Sequence, residues 1–93
     1  MQHELKILPK YFNDVYTKVK PFELRKNDRD FQVGDVIYLR EYDGENYTGR
    51  TLVVFVTYVL KDCIAYGLQE GYCVLGIRLI GVDLTLSDDG GGN

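Results

Sequence analysis

Alternating and helical patterns of apolar residues near the start of the chain predict one β-strand followed by one helix. The segment HELKIL, residues 3–8, alternates as a half-buried strand does, and one of its faces carries His3, Leu5 and Ile7. Pro9 suits the first position of a helix, where its missing N–H costs no hydrogen bond. The apolar residues around it recur at helical spacing: Leu8, Phe12, Val15 and Val19. We therefore expect a short amphipathic helix over residues 9–18, ended by Pro21.

After Pro21 the pattern changes to a period of two, which is typical of strands. Phe22 and Leu24 fall on one face, and we expect them to hold this strand in the core together with Phe31. Glu23 and Arg25 fall on the opposite face, where the strand is expected to display its charge. Further strands are predicted at residues 36–42, 50–60 and 72–80, with a hairpin connection at 43–49 and a loop containing a helical turn at about 62–71.

The segment RTLVVFVTYVL, residues 50–60, is apolar on both faces, which is typical of a central strand. We expect the helix to cover one of its faces and the interior of a barrel the other. One principal helix among about five short strands predicts a mainly β (α+β) fold, a small closed or nearly closed β-barrel. Residues 1–82 are expected to form this single domain, and the acidic, glycine-rich residues 83–93 are predicted to be a disordered tail.

The net charge of −3 belongs to that tail and does not argue against a polyanionic partner. Three of the fourteen acidic residues lie after residue 82, so residues 1–82 carry eleven acidic and eleven basic side chains. Two cysteines are too few for a disulfide framework, and the chain begins with no secretory signal pattern, which together favour the reducing cytoplasm. No apolar stretch approaches the roughly 20 residues that span a bilayer, so no membrane partner is expected.

Charge is concentrated in VKPFELRKNDRDF, residues 19–31, which contains seven charged side chains. A surface ion pair between Glu23 and Arg25, contributing roughly 0–1 kcal/mol, is the simplest interpretation. We favour a binding site, because Phe22, Leu24 and Phe31 are expected to hold these charges on rigid backbone. Residues 18–29 also carry five basic against two acidic side chains. Arginine binds phosphate with two parallel hydrogen bonds, and tyrosines such as Tyr42 and Tyr47 offer stacking surfaces for bases.

The candidate ligand- or RNA-binding residues are Lys6, Lys20, Glu23, Arg25, Asn27, Asp28, Arg29, Tyr47 and Arg50. Tyr47 and Arg50, with Thr48, are expected either to form a second wall of the cleft or only to make turn and cross-strand contacts. No metal site is predicted, because His3, Cys63 and Cys73 are too few ligands at unsuitable spacing, and both cysteines are expected to be buried. No phosphate-loop motif is present, and no cofactor is predicted.

Five segments in order resemble the bacterial and phage branch of the ASCH domains, described as a domain of unknown function within the PUA-like superfamily. They are HELKILPKYF, FELRKNDRDFQVGD, REYD, YTGR and YGLQEGYCVLGIR, and they cover nearly all of residues 3–78. The resemblance implies a PUA-like barrel and an RNA- or nucleotide-binding function. It also implies a polar cleft beside the helix with the signature G-x-K-x-x-E/T-x-R. Lys20, Glu23 and Arg25 match this signature, and Lys18 replaces its glycine.

The resemblance also implies an enzyme as an alternative, since some relatives are amidohydrolases acting on N4-acylated cytidine and others cut RNA. Lys20 and Glu23 would then act as acid and base. The amidohydrolases place a threonine where this chain has Glu23, which favours binding over catalysis. A second alternative is a protein-interaction module of a phage or mobile element, using a tyrosine-rich surface. The sequence leaves the ligand and the oligomeric state open.

Overall fold

A computed structural model, which describes residues 1–86, shows one five-stranded sheet and one α-helix. The strands are β1 (Gln2–Ile7), β2 (Phe22–Lys26), β3 (Val36–Tyr42), β4 (Tyr47–Leu60) and β5 (Tyr72–Asp83). The helix α1 spans Pro9–Tyr16, and a single 3₁₀ turn spans Ile64–Tyr66. The predicted helix, the five predicted strands and the helical turn in the last loop are therefore confirmed, with ends that shift by a few residues.

The strands form a curled half-barrel in the order β1-β3-β4-β5-β2. β1 runs parallel to β3, and every other pair is antiparallel. β4 is the middle strand, as its apolar sequence predicted. Within the described residues no backbone pairing joins β1 to β2, so the sheet curls without closing and leaves a gap between its two edges.

The core fills the concave face of the sheet and is completed by α1. Its buried residues are Leu5, Ile7, Phe12, Val15, Phe31, Ile37, Leu39, Leu52, Val54, Val56, Cys73, Leu75 and Ile77. Phe12 and Val15 of α1 pack into the same cluster as the inward side chains of β4, so the helix and the interior share one face. The expectation that α1 covers the second face of β4 is wrong, and Val53 and Phe55 on that outer face are half-buried.

β2 has the opposite orientation from the one that its pattern predicted. Phe22 and Leu24 are 44% and 56% exposed on the outer face, whereas Glu23 is 4% exposed and faces inward. Alternation fixes which residues share a face but not which face is inside. Here two cations that contact the Glu23 carboxylate offset the cost of burying it. Phe31 is buried as predicted and holds the segment after the turn.

The ends of α1 and β5 differ slightly from the predicted boundaries. α1 ends before Lys18, which adopts the left-handed backbone conformation with φ of 66°. β5 continues to Asp83, the first residue of the predicted tail, and residues 87–93 lie outside the described residues. Cys73 is buried, but Cys63 is half-exposed, so the expectation that both cysteines are buried is wrong for Cys63. No helix within residues 1–86 is long and apolar enough to cross a membrane.

Candidate basic groove

The gap between β1 and β2 is a groove made of two adjoining cavities of about 490 and 300 Å³. Both cavities are lined by Lys6 and Arg25, which stand at their junction. The larger cavity, beside α1, is also lined by Ile7, Leu8, Tyr11, Lys20, Phe22, Glu23 and Leu24. The smaller one is also lined by Glu4, Leu5, Arg29, Arg40 and Tyr47. Five cationic and two acidic side chains thus converge on the groove, which we call the basic groove.

A buried carboxylate with two cationic partners forms the inner wall of the basic groove. Glu23 accepts a hydrogen bond from Nζ of Lys20 through Oε1 and one of 3.0 Å from Nε of Arg25 through Oε2. Lys20 also donates to the carbonyl of Phe22 at 2.9 Å. Charge-assisted bonds of this kind fix the side chains and leave the cluster with one net positive charge.

Two arginines cross the gap and bond the exposed backbone of β1. Arg25 donates from Nη2 to the carbonyl of Lys6, and Arg29 donates from Nη1 to the carbonyl of Glu4 at 3.0 Å. These carbonyls lie on the edge of β1 that faces away from β3. The side chains of the β2 segment therefore satisfy acceptors that a neighbouring strand would otherwise satisfy, and they hold the two edges of the half-barrel together.

The outer wall of the basic groove is built from cations stacked on tyrosines. Nζ of Lys6 lies 4.2 Å from the ring centroid of Tyr42 and 5.9 Å from that of Tyr47. The guanidinium carbon of Arg40 lies 4.0 Å from the ring centroid of Tyr47. Lys6 and Arg40 face each other directly in the β1–β3 register. In the part of the chain that the structure describes, Lys6 has no carboxylate partner, and Arg40 has only the exposed Glu4 at 3.6 Å.

Six of the nine predicted site residues line the basic groove. They are Lys6, Lys20, Glu23, Arg25, Arg29 and Tyr47. Asn27 and Asp28 do not line it. Oδ1 of Asn27 accepts the backbone N–H of Phe31 at 3.2 Å and shapes the turn, and Asp28 is exposed with its carboxylate 3.9 Å from Nε of Arg29.

Arg50, the remaining predicted site residue, belongs to a separate cluster beneath α1. It donates from Nε and Nη2 to the two carboxylate oxygens of Glu41 at 2.7 and 2.6 Å, and it stacks 4.3 Å from the centroid of Phe12. Thr48 donates to the same carboxylate at 2.6 Å. The hydrogen bond from Arg50 lowers the pKa of the 2%-exposed Glu41 despite burial, and the same bond raises the pKa of Arg50. Arg50 and Thr48 therefore satisfy a buried charge and are not a second wall of the groove.

Arg40 is the groove residue that the sequence interpretation missed, and Tyr11 lines the groove as well. Arg40 and Tyr42 are two residues apart in one strand, as Glu4 and Lys6 are in another. The sequence therefore already indicated that each pair shares one face of its strand. What the sequence did not show was that these two strands pair in parallel, which places the four side chains on one surface.

Comparison with known proteins identifies the domain family of the chain and one phage relative. The family model of a domain of unknown function, DUF3850, matches residues 2–77. A protein of Escherichia phage P2 named "Uncharacterized 12.9 kDa protein in GpA 3'region" is 39% identical over 87 residues, which cover 91% of this chain and 74% of that protein. The match of the family model over most of the sequence shows that the chain belongs to the DUF3850 family.

Proposed function

We propose that the basic groove binds single-stranded RNA or a nucleotide-like ligand. The observation that carries this proposal is the convergence of five cationic side chains with Tyr11 and Tyr47 on the two adjoining cavities of the basic groove. Cations track a phosphate backbone, and aromatic rings stack on bases, which is the combination that single-strand binding requires. The apolar part of the larger cavity, near Tyr11 and Phe22, suits the flat face of a base.

Lys6 and Arg40 are the groove cations most available to a phosphate. Lys20 and Arg25 share the Glu23 carboxylate, and Arg29 bonds the backbone of β1, so part of their hydrogen-bonding capacity is already used. Lys6 lies instead over the ring of Tyr42 and has no carboxylate partner within residues 1–86. Arg40 lies over the ring of Tyr47, and its one carboxylate neighbour in that range is the exposed Glu4 at 3.6 Å. We therefore assign the principal phosphate contacts to the outer wall rather than to Lys20, Arg25 and Arg29.

The test is a titration of a fluorescein-labelled single-stranded RNA of mixed sequence, followed by anisotropy at several salt concentrations. Lys6→Gln should weaken binding several-fold and reduce the slope of log K against log salt by about 0.7, the value for one contact with a single strand. Lys61→Gln is the matched control, because Lys61 lines a different cavity and the substitution removes the same charge. If both substitutions weakened RNA binding equally, the RNA would be attracted only by the overall charge of the protein, and the groove would be rejected as the binding site.

The chain is proposed to be an ASCH domain that binds rather than cleaves. The Lys20, Glu23 and Arg25 spacing beside α1 supports the ASCH assignment. Among the described residues that line the basic groove there is no serine, threonine, cysteine or histidine, which leaves an acyl-transfer mechanism without its usual nucleophiles. Incubated N4-acetylcytidine is therefore expected to remain intact, as monitored by chromatography. Its conversion to cytidine by the wild type but not by Lys20→Ala would establish the enzyme alternative instead.

A further inference from the structure

The second half of β5 has an open edge. β2 pairs with β5 only from Tyr72 to Gly76, and the N–H of Ile77 then donates to the carbonyl of Pro21 at 3.1 Å. Beyond that point, no strand within residues 1–86 pairs with this side of β5, although the strand continues to Asp83. The open edge therefore consists of residues 78–83.

The open edge has no lysine or proline, and its only charges, Arg78 and Asp83, lie at its two ends. Its sequence is RLIGVD, with an apolar centre of Leu79, Ile80, Gly81 and Val82. Ile80 and Val82 are 51% and 41% exposed. Natural proteins place lysine or proline on such edges, or bend them with a bulge, because an apolar edge with unpaired backbone groups pairs with other strands. Only the bulge is present here.

The bulge sets which backbone groups of β5 point outward. The N–H and C=O of Val56 bond Asp35 and Gly34, on the β3 side of β4. Val54 and Leu52 lie two and four residues earlier in β4, so they share that direction. Val54 lies opposite Leu79 of β5, and Leu52 lies opposite Val82. Because directly opposed residues in an antiparallel pair point either toward each other or away, Leu79 and Val82 both point to the open edge.

In a regular strand, the residues whose N–H and C=O groups point to one edge are two apart. In β5, Leu79 and Val82 are three apart, because Ile80 is the extra residue of the bulge. A symmetric antiparallel partner must match this spacing, and a second copy of the same edge does so. We propose that the chain forms a two-fold symmetric dimer in which β5 pairs with β5 of a second copy. Leu79 then bonds Val82 of the partner subunit, and Val82 bonds Leu79 of the partner subunit.

In this register, opposite charges of the two copies meet on the same face of the sheet. Arg78 lies opposite Asp83 of the partner subunit at both ends of the pairing, and no other charge falls between them. Arg78 and Asp83 both lie on the outer face, opposite Phe55 and Thr51, so the charges meet on the same side of the sheet. Opposite charges at directly opposed positions stabilise an antiparallel pair and disfavour shifted registers.

The length of the open edge also fits this pairing. Pro21 occupies the position next to Ile77, so a partner strand has room only as far as Arg78. The partner strand ends there, because its Asp83 is the last residue of β5. A pairing of six residues on each copy falls in the small class of interfaces, below about 1,200 Å² in total, so the dimer is expected to be reversible.

The experiment is sedimentation velocity of the full chain over a concentration series that extends into the high micromolar range. The wild type should shift from monomer to dimer as its concentration rises. R78E and D83K each place like charges opposite each other twice in the homodimer, and each should dissociate at least tenfold more readily. An equimolar mixture of R78E and D83K should recover the dimer, because each mixed pair then has opposite charges. The double variant R78E/D83K should recover it alone.

Recovery of the dimer on mixing distinguishes loss of this interface from damage to the fold, since a misfolded variant is not rescued by another variant. Far-ultraviolet circular dichroism checks that each variant keeps the wild-type sheet. A wild type that remains monomeric throughout the series overturns the proposal. A dimer that persists in both single variants places the interface elsewhere and also overturns it. Single variants that are monomeric and stay monomeric when mixed reject the register. RNA binding through the basic groove is measured separately and can succeed or fail independently.

Discussion

The guanidinium group of Arg25 hydrogen-bonds the backbone carbonyl of Lys6, nineteen residues away, and so joins the two unpaired edges of the half-barrel. The same side chain bonds Glu23 through Nε at 3.0 Å. One arginine therefore both satisfies a buried carboxylate and bridges the gap between β1 and β2. The cations that line the basic groove therefore also connect its two edges.

Replacing Arg25 with alanine should destabilise the fold substantially. The change leaves Glu23 buried with only Lys20 as its partner, and it frees the carbonyl of Lys6. Breaking a buried ion pair by removing one partner typically costs about 3–5 kcal/mol, and because Lys20 remains we expect about 2–3 kcal/mol here. Urea denaturation followed by circular dichroism measures the change. Lys26→Ala, an exposed cation on the same strand, should cost under about 0.5 kcal/mol, and an equal loss in both variants would contradict the bridging role.

Replacing Arg50 with methionine should destabilise the chain by about 3–5 kcal/mol at neutral pH, because Glu41 would be left buried without its cation. The hydrogen bond from Arg50 now lowers the pKa of Glu41, and its loss should raise that pKa. The stability deficit of the variant relative to the wild type should therefore shrink as the pH falls and Glu41 of the variant is protonated. Chemical denaturation at neutral pH and at about pH 4 checks this. A deficit that does not change with pH would show that the loss comes from packing on Phe12 alone.

The Asp35 carboxylate should contribute stability that is lost in acid. Burial raises the pKa of Asp35, but hydrogen bonds from His3 at 2.8 Å, from the N–H of Gln32 at 2.9 Å and from the N-terminal ammonium outweigh it, so the pKa is below the ordinary value of 3.8. A carboxyl whose pKa is lowered by folding stabilises the fold above its unfolded pKa. That stability disappears as the pH falls through the folded pKa.

The corresponding measurement compares the wild type with Asp35→Asn by denaturation below about pH 5. The advantage of the wild type should shrink steadily as the pH falls, since protonated Asp35 resembles asparagine in charge. Asp14→Asn serves as the control, because Asp14 is exposed on α1 and its carboxylate has no hydrogen bond or ion pair within residues 1–86. An advantage of the wild type over Asp35→Asn that stays constant down to about pH 2 would contradict the assignment.

Replacing Lys18 with glycine should stabilise the chain by about 0.5–1 kcal/mol. Lys18 has a φ of 66°, a region in which a side chain is disfavoured by about 1–2 kcal/mol, and glycine offsets part of this gain by its greater freedom in the unfolded chain. Thermal denaturation at low protein concentration measures the shift. Lys10→Gly inside α1 is the matched control and should destabilise by a similar amount. Destabilisation by Lys18→Gly would show that the Lys18 side chain contributes more than its backbone strain.

Local patterns in the sequence determined the elements and most of the groove residues. Alternation located the strands, and helical spacing located α1, because burying one face requires a side-chain period that matches the backbone. The spacing of Lys20, Glu23 and Arg25 also identified the charged cluster, since residues close together in one segment remain close in any fold. These are short-range properties, which the order of residues along the chain fixes directly.

Long-range placement was decided only by the tertiary structure. The parallel pairing of β1 with β3 brought Arg40 beside Lys6, and the pairing of β2 with β5 turned Glu23 inward and exposed Phe22. A period of two is the same whichever face is buried, so the sequence of β2 could not show that its charged face was inside. The deciding factor was the free energy of the whole sheet. An incomplete barrel needed its edge carbonyls bonded, and arginines that face the gap provide those bonds.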